Sequence, residues 1–471
     1  MTRPTLLLAA LACWLAGPLA AEAIDLNAYL GQVRQSNQQL KAALSMDAAY
    51  ALQAKAPLTA YSPQLKASAQ RFEDKVEPTL NALSPDRTVG LGWAVDVSQL
   101  FATGTFVGLG YQNDHTQIDF PQPSFLPNAD NFGHQVHLTL NQSLWRNFMG
   151  SEVGAAIAMA DATADANRAG NRYSAQALLF QARQAYTSLA TLRQVLGILT
   201  ESLERNQKIL EWTKRKYADN LADKVDVLQV EAALRQVQLS LAQSQEDEAK
   251  AVARFNALRG AEPTAVVGDL QVLDVPAQLS IAKEGRQDLL AAKAALRAND
   301  AFVETVVQQF TPDLSVFASL AANDRDKDYG QAAADLTGLY HGTSTVGVKL
   351  TANLDLPLYR QVLDGAKQAQ GSGAARIEDK RLEIAQDWQQ LKTAWDTMQR
   401  RLALAKELET LQKEKAEREK TRYQDGRTTN FQVLRFEDDY NLSRVQTLQL
   451  TAEANVLEAQ ARFYNGDDQP W

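Results

Sequence analysis

Two stretches of this chain, Ser151 to Tyr217 and Gln361 to Tyr423, contain no proline and carry the residue spacing of very long helices. Proline breaks a helix interior by removing a hydrogen bond and clashing with the preceding turn, so its absence over such lengths permits a rod. In the first stretch Ala185, Leu189, Leu192, Leu196, Leu199 and Leu203 step alternately by four and three. In the second, Ile384, Trp388, Leu391, Trp395, Met398 and Leu402 do the same. That is a heptad seam, which predicts coiled-coil packing against a helical partner. Gly154, Gly170, Gly197, Gly365, Gly371 and Gly373 weaken the helices only locally. Unbroken, ~65 residues at 1.5 Å each reach roughly 100 Å, more than a compact globular core requires.

The two stretches belong to a duplicated chain. Asn37-Gln-Gln-Leu40-Lys-Ala42-Ala43 aligns with Arg286-Gln-Asp-Leu289-Leu-Ala291-Ala292 at an offset of 249 residues, and Pro63-Gln-Leu65 aligns with Pro312-Asp-Leu314 at the same offset. Further on, Tyr217, Val227, Leu228 and Glu231 align with Tyr423, Val433, Leu434 and Glu437 at an offset of 206. Matches that keep one order mark an internal repeat. The fall in offset places 43 extra residues in the first half, between Pro63 and Tyr217. The expected organisation is a first repeat over residues 24–260 and a second over 261–471. The first has a helix, strands at about 64–145 and a long helical hairpin with its tip near 217–226. The second has a helix, strands at about 313–358 and a hairpin with its tip near 423–432.

The strand regions alternate strictly. Val346, Val348, Leu350, Ala352, Leu354, Leu356 and Leu358 point one way, while Gly347, Lys349, Thr351, Asn353 and Asp355 point the other. Val136, Leu138 and Leu140 alternate with His137, Thr139 and Asn141. Leu65, Ala67 and Ala69, with Leu314, Val316, Ala318 and Leu320, are weaker partners. Such segments suit a transmembrane barrel, although a sandwich strand has the same alternation. An open sheet cannot lie in lipid, because unpaired backbone groups cost several kcal/mol each. One hairpin per half gives four strands, and the smallest outer-membrane barrels use eight, so closure needs several chains. Three protomers would supply twelve. The extra residues of the first half read as a further hairpin, with Val89 to Val97 alternating, a turn at Gly104, and Thr105 to Tyr111 alternating again. It either widens the barrel or projects beyond the membrane. Phe120 to Pro127, with Pro121, Pro123 and Pro127, reads as an external loop.

Composition narrows the function. The 471 residues include 48 Lys+Arg and 56 Asp+Glu, a dispersed net charge of −8 that argues against a nucleic-acid partner. Four histidines and one cysteine make no metal-ligand motif. His134 and His137 point to opposite strand faces. Asp324, Asp326 and Asp328 with Gly330 lack the glutamate that ends a calcium loop. No nucleophile–base–acid set, phosphate loop or dinucleotide fingerprint occurs, so neither an enzyme nor a cofactor is expected. Residues 1–23 read as a secretory signal peptide, with Arg3, an apolar run from Leu6 to Leu19 and the Ala21-Glu22-Ala23 cleavage pattern. Cys13 lies in that run and is expected to leave with it, lipidation being the alternative. Trp471 follows a polar tail, unlike the terminal aromatic of barrel strands.

In these features the chain resembles the TolC-like outer-membrane efflux family, from about Leu26 to Gly466. The residues that carry the likeness are Arg286-Gln-Asp-Leu289 at the entry to the second half, Pro312-Asp-Leu314, and Leu354-Asp-Leu-Pro357-Leu358-Tyr359-Arg360. To these are added Asn141-Gln142-Ser143-Leu144-Trp145-Arg146 and the Tyr423 to Gly426 turn followed by Val433-Leu434. The resemblance implies an α+β chain with two structural repeats, working as a homotrimer. Its parts are a β-barrel shared between protomers in the lipid of the outer membrane and a tunnel of antiparallel coiled-coil hairpins in the periplasm. Such a protein is a passive exit duct for a tripartite efflux or type I secretion system, joined through a periplasmic adaptor (a membrane fusion protein) to an inner-membrane transporter. The alternative is a non-channel periplasmic coiled-coil adaptor, which would carry one helical hairpin rather than two.

The resemblance also assigns the hairpin tips. Gly426 suits a left-handed helix end, Asn220 replaces it in the first half, and Asp223 with Asp226 resembles a capping box. Read locally, these residues make turns. The family implies in addition that Asp219, Asn220 and Leu221, with Gln424, Asp425 and Gly426, dock the adaptor. It further implies a periplasmic aperture and gate at Asp226, Tyr423, Thr428, Gln432 and Arg435. Here the chain departs from the pattern. Gln432 and Arg435 stand where the family's best-known member has acidic residues, and Thr428 replaces a basic one, while Tyr423 and Asp226 match. An aperture with three Arg435 side chains is expected to favour anions.

Overall fold

The computed structural model describes residues 23–75, 84–121, 125–279, 286–336, 341–468 and 470. The expected signal peptide up to Glu22, with Cys13, lies outside these residues, as do Pro123 and Trp471. In chain order the elements are α1 (Leu26–Ser36), α2 (Gln38–Gln53), β1 (Gln64–Asp74), β2 (Arg87–Leu100), β3 (Thr105–Asp119) and β4 (Ala129–Ser143). There follow α3 (Ser151–Ala218), α4 (Lys224–Leu258), α5 (Gln287–Phe310), β5 (Asp313–Asp326), α6 (Tyr329–Asp335), β6 (Gly342–Thr351), α7 (Leu356–Gln424) and α8 (Asn430–Asn465). The two proline-free stretches fold into helices of 68 and 69 residues, α3 and α7. No described helix is long and apolar enough to cross a membrane.

The chain divides into two compact units, each drawing on both halves of the sequence. One holds the residues up to Ala48, Arg168–Leu290 and Asp379–Trp471; the other holds Ala49–Asn167 and Ala291–Glu378.

The second unit is built on one six-stranded antiparallel sheet in the order β1-β2-β3-β4-β5-β6. The 43 added residues of the first half thus supply two inner strands, β2 and β3. β4 then pairs with β5, which joins the two halves of the chain. Because facing residues share a side, the register Leu65↔Val97↔Leu109↔Leu138↔Leu320 is one apolar row. Gln99↔Val107↔Leu140↔Ala318↔Val346 is the next. The opposite face carries Asp96, Gln112, Gln135, Asn323 and Lys349. The apolar face is open: Leu65 is 72 % exposed, Leu109 55 % and Val346 75 %.

The last strand is shorter than its alternation suggests. β6 ends at Thr351 and α7 begins at Leu356, so Leu356 and Leu358 belong to a helix. Two local bonds stop the strand: the Asn353 side chain accepts from the Asp355 N–H at 3.0 Å, and the Asp355 carboxylate accepts from the Leu358 N–H at 3.0 Å. Pro357 sits in the first helical turn, where its missing N–H leaves no bond unmade. The aspartates considered for calcium make local bonds instead. Asp328 caps α6 by accepting from Gln331, and Asp326 accepts from the Asp328 N–H.

The first unit has a core of Tyr29, Leu30 and Val33 from α1, Leu179, Ala182, Tyr186 and Leu189 from α3, and Phe255 from α4. Tyr29 stacks on Phe255 with ring centroids 3.9 Å apart. The conspicuous Arg286 is only 5 % exposed, paired to Asp288 at 2.7 Å and Asp387 at 2.6 Å, with its guanidinium over the Tyr464 ring. Its repeat counterpart Asn37 is buried too, but it caps α2, its side-chain oxygen accepting from the N–H groups of Gln39 and Leu40. The aligned positions Arg286 and Asn37 therefore carry different chemistry. A second cluster joins Trp395, Met398 and Leu402 of α7 to Leu450 and Ala454 of α8.

Candidate functional site

Both helical hairpins turn by the same backbone device. At the end of α7 the Gly426 N–H donates to the Tyr423 carbonyl at 3.0 Å and the Arg427 N–H to the Arg422 carbonyl at 2.8 Å. At the end of α3 the Asn220 N–H donates to the Tyr217 carbonyl at 3.1 Å and the Leu221 N–H to the Lys216 carbonyl at 2.8 Å. This is the Schellman end, in which a left-handed residue satisfies two orphan carbonyls. Gly426 has φ 73° and Asn220 φ 54°. Asparagine tolerates that region better than other residues with a side chain. The tip residues Asp219, Asn220, Leu221, Gln424, Asp425 and Gly426 are all exposed, Leu221 by 74 %.

The next helices start differently at the two tips. Asp226, in the first turn of α4, accepts from the Asp223 N–H at 3.0 Å. Its counterpart Gln432 in α8 lies 2.7 Å from the Thr428 hydroxyl. That hydroxyl also bonds the Glu419 carboxylate. Having a single proton, Thr428 gives it to the charged acceptor, and the amide NH2 edge of Gln432 can face the same oxygen. Glu419 is 4 % exposed and pairs with Arg422 at 3.0 Å. Thr428, Gln432, Glu419 and Arg422 thus form one strap across the second tip.

Tyr423, 7 % exposed, stands edge-on to Trp212 at a centroid distance of 4.3 Å. The Lys216 ammonium lies 3.9 Å above the Trp212 ring. Among the described residues the buried Tyr423 hydroxyl has no hydrogen-bond partner. Nearby Thr213 gives its own proton to the Ile209 carbonyl at 2.8 Å and accepts from Asn430 at 2.8 Å. Burial, with a smaller push from the Asp226 charge, raises the Tyr423 hydroxyl to about 12 against the lowering effect of Thr213. Its repeat counterpart Tyr217 is 47 % exposed. Beside Tyr423 opens a groove of about 410 Å³ lined by Ile209, Trp212, Val433, Lys208 and Lys420.

The structure therefore joins Thr428 to Gln432, while Asp226 acts on Tyr423 through its charge alone. Arg435 stands exposed on α8. Three features were not anticipated: Glu419, Trp212 and the polar seam between α3 and α8. In that seam Asn441 donates to Ser202 at 3.2 Å, Arg205 donates to Asn441 at 2.9 Å, and Arg205 pairs with Glu437 at 3.1 Å. Glu419 had a legible signal, because Ala416, Glu419 and Tyr423 continue the three-and-four stepping of Met398, Leu402 and Ala405.

The geometry so far is that of paired long hairpins with capped tips and a sheet that is apolar on one side. The family model for outer membrane efflux proteins matches residues 115–261 and 279–465. The chain belongs to the outer membrane efflux protein family. Solved structures agree in fold. The outer-membrane channel OprN matches with TM-score 0.70 and 18 % identity over 95 % of this chain and 91 % of that one. The outer membrane protein VceC from Vibrio cholerae matches with TM-score 0.70 and 17 % identity over 94 % and 96 %. The MtrE outer membrane channel of Neisseria gonorrhoeae, in its open state, matches with TM-score 0.65 and 15 % identity over 93 % and 88 %. No curated protein sequence matches. As an outer membrane efflux protein the chain is located in the outer membrane, and its family is one of channels rather than enzymes or periplasmic adaptors.

Proposed function

We propose that the protein is the passive, homotrimeric exit duct of a tripartite efflux or type I secretion system. Three copies close one barrel through the outer membrane, and their hairpins extend into the periplasm as a coiled-coil tunnel. The observation that carries this reading is the sheet, whose apolar face is open while β1 and β6 each have one neighbour and therefore one unpaired edge. In lipid those edges must be paired, and a second copy offers matching edges. The exposed tips around Asn220 and Gly426 meet a periplasmic adaptor, which links the duct to an inner-membrane transporter. Asp226, Tyr423, Thr428, Gln432 and Arg435 line the aperture, held by the Glu419 strap, and the exposed Arg435 side chains favour anions. The chain needs no energy source of its own, because the pump supplies it.

The test is to express the full chain, separate the envelope and size the detergent-solubilised protein. A mass near three protomers in the outer-membrane fraction is expected. A soluble periplasmic monomer overturns the reading.

A further inference from the structure

We propose that the β2–β3 hairpin is part of the barrel wall, so that three copies close an eighteen-stranded barrel rather than a twelve-stranded one; this deepens, and rests on, the trimeric-duct reading. The alternative is a hairpin that stands out of the wall as an external ornament. Three observations favour the wall.

The first is hydrogen bonding. β2 and β3 are paired on both sides, β2 to β1 over eleven facing residues and β3 to β4 over fourteen. If the hairpin left the wall, both ladders would have to break and β1 would have to pair with β4 instead. The count also permits closure. Six antiparallel strands leave β1 and β6 running in opposite directions, so β6 of one copy can continue the same alternation into β1 of the next. The two edge strands match in length, at 11 and 10 residues, close to the ~9–11 that a tilted transmembrane strand requires.

The second is the outward face. Leu91, Trp93, Val95 and Val97 of β2 are 54 %, 39 %, 37 % and 48 % exposed, and Leu109 of β3 is 55 % exposed. They continue the rows of Leu140, Leu320, Val346 and Val348, which are exposed to a similar degree. A hairpin standing in water has no use for such a band, whereas a barrel wall presents it to lipid.

The third is the inward face, where side chains reach across whole strands. Asp96 of β2, Gly110 of β3 and His137 of β4 face one another in register, and the His137 imidazole meets the Asp96 carboxylate at 3.1 Å over the glycine. A Cβ on Gly110 would lie 2.1 Å from the Asp96 carboxylate. The same device recurs one strand along, where Arg325 of β5 reaches Asp114 of β3 at 3.3 Å over Gly133 of β4. These links tie the hairpin to the strands of both halves of the chain, and they lie on the polar side that faces the lumen in a closed barrel.

The consequence is a wider mouth. With strands about 4.8 Å apart and tilted by about 40°, eighteen strands give a wall of roughly 36 Å backbone diameter, against roughly 24 Å for twelve. Selection of cargo then falls to the tips rather than to the outer-membrane pore.

The experiment uses the full-length protein in outer-membrane vesicles, with single cysteines at Val95 and Leu109 on the apolar face and at Ala94 and Gln112 on the polar face. The chain's one native cysteine, Cys13, falls in the expected signal peptide. Each variant is first shown to assemble like the parent. A membrane-impermeant maleimide is expected to label Ala94→Cys and Gln112→Cys and to lose its reaction at Val95→Cys and Leu109→Cys. Labelling of all four in an assembled trimer overturns the proposal while leaving the duct intact. Cryo-electron microscopy of the trimer in lipid nanodiscs supplies a second readout, where eighteen wall strands support the inference and twelve refute it. Failure to form a membrane oligomer at all refutes the duct reading itself, and with it this one.

Discussion

Replacing Thr428 by valine should loosen the second tip. The change is nearly isosteric, so its effect comes from the hydroxyl alone. That hydroxyl is the donor to the Glu419 carboxylate, a group only 4 % exposed. A hydrogen bond to a charged group is worth about 1.5–3 kcal/mol, and leaving the acceptor buried without its donor forfeits most of that. The other arm of the strap contributes less, because the Arg422 side chain is 57 % exposed and its ion pair is screened to about 0.2–1 kcal/mol. Taking about 2 kcal/mol for the lost bond, and taking the strap to exist only in the closed tip, the open population rises about thirtyfold. Single-channel recording in planar bilayers measures this as open probability. Thr428→Ser keeps the donor and should behave as the parent. If Thr428→Val assembles normally and opens no more often than Thr428→Ser, the strap does not hold the tip and the reasoning fails.

Three further outcomes are expected. Gly426→Ala should destabilise the tip by about 1–2 kcal/mol, since the added Cβ meets nothing within 4 Å and only the left-handed backbone (φ 73°) opposes it; the thermal unfolding midpoint reads the effect. Burial raises the Tyr423 and Tyr186 hydroxyls to about 12, from about 10 in the unfolded chain. Their stabilisation is therefore complete below about pH 10 and lost as the pH climbs through about 12, and Tyr423→Phe should flatten that decline in unfolding measured from pH 8 to 12. Arg435→Glu should shift the reversal potential in a salt gradient toward cation preference, and an unchanged potential would remove Arg435 from the aperture.

Much of the site was readable along the chain because it depends on local backbone chemistry. A left-handed residue at a helix end is most readily glycine or asparagine, so Gly426 and Asn220 announced their turns before any packing was known. The strands were legible for a similar reason: the alternation from Val89 to Val97 follows from the period of the pleat. The same alternation misled at Leu356 and Leu358, where a cap from Asp355 and a proline in the first turn begin a helix. There a bond of three residues' reach overrides a pattern of two.

Hydrophobic stepping also located the seam positions Leu391, Trp395, Met398 and Leu402, all buried. It passed over Ser202, Asn206 and Thr213, which are as deeply buried. Ser202 and Thr213 are met from α8 by Asn441 and Asn430, and nothing in a single helix shows which partner will arrive. Glu419 illustrates the limit, since its stepping was visible but its neutralisation by Thr428 and Arg422 was not.

What the sequence determined by itself is therefore the set of elements: two proline-free helical rods, alternating strands, capped tips and a duplicated order. Those properties depend on bonds made within a few residues. Tertiary structure decided that the added hairpin lies inside the sheet, that Asp96 meets His137 across Gly110, and that Tyr423 is buried while Tyr217 is exposed. Each of these depends on which strand or helix becomes a neighbour. That choice is governed by pairing and burial between residues far apart in the chain, and two segments with the same local pattern were free to make it differently.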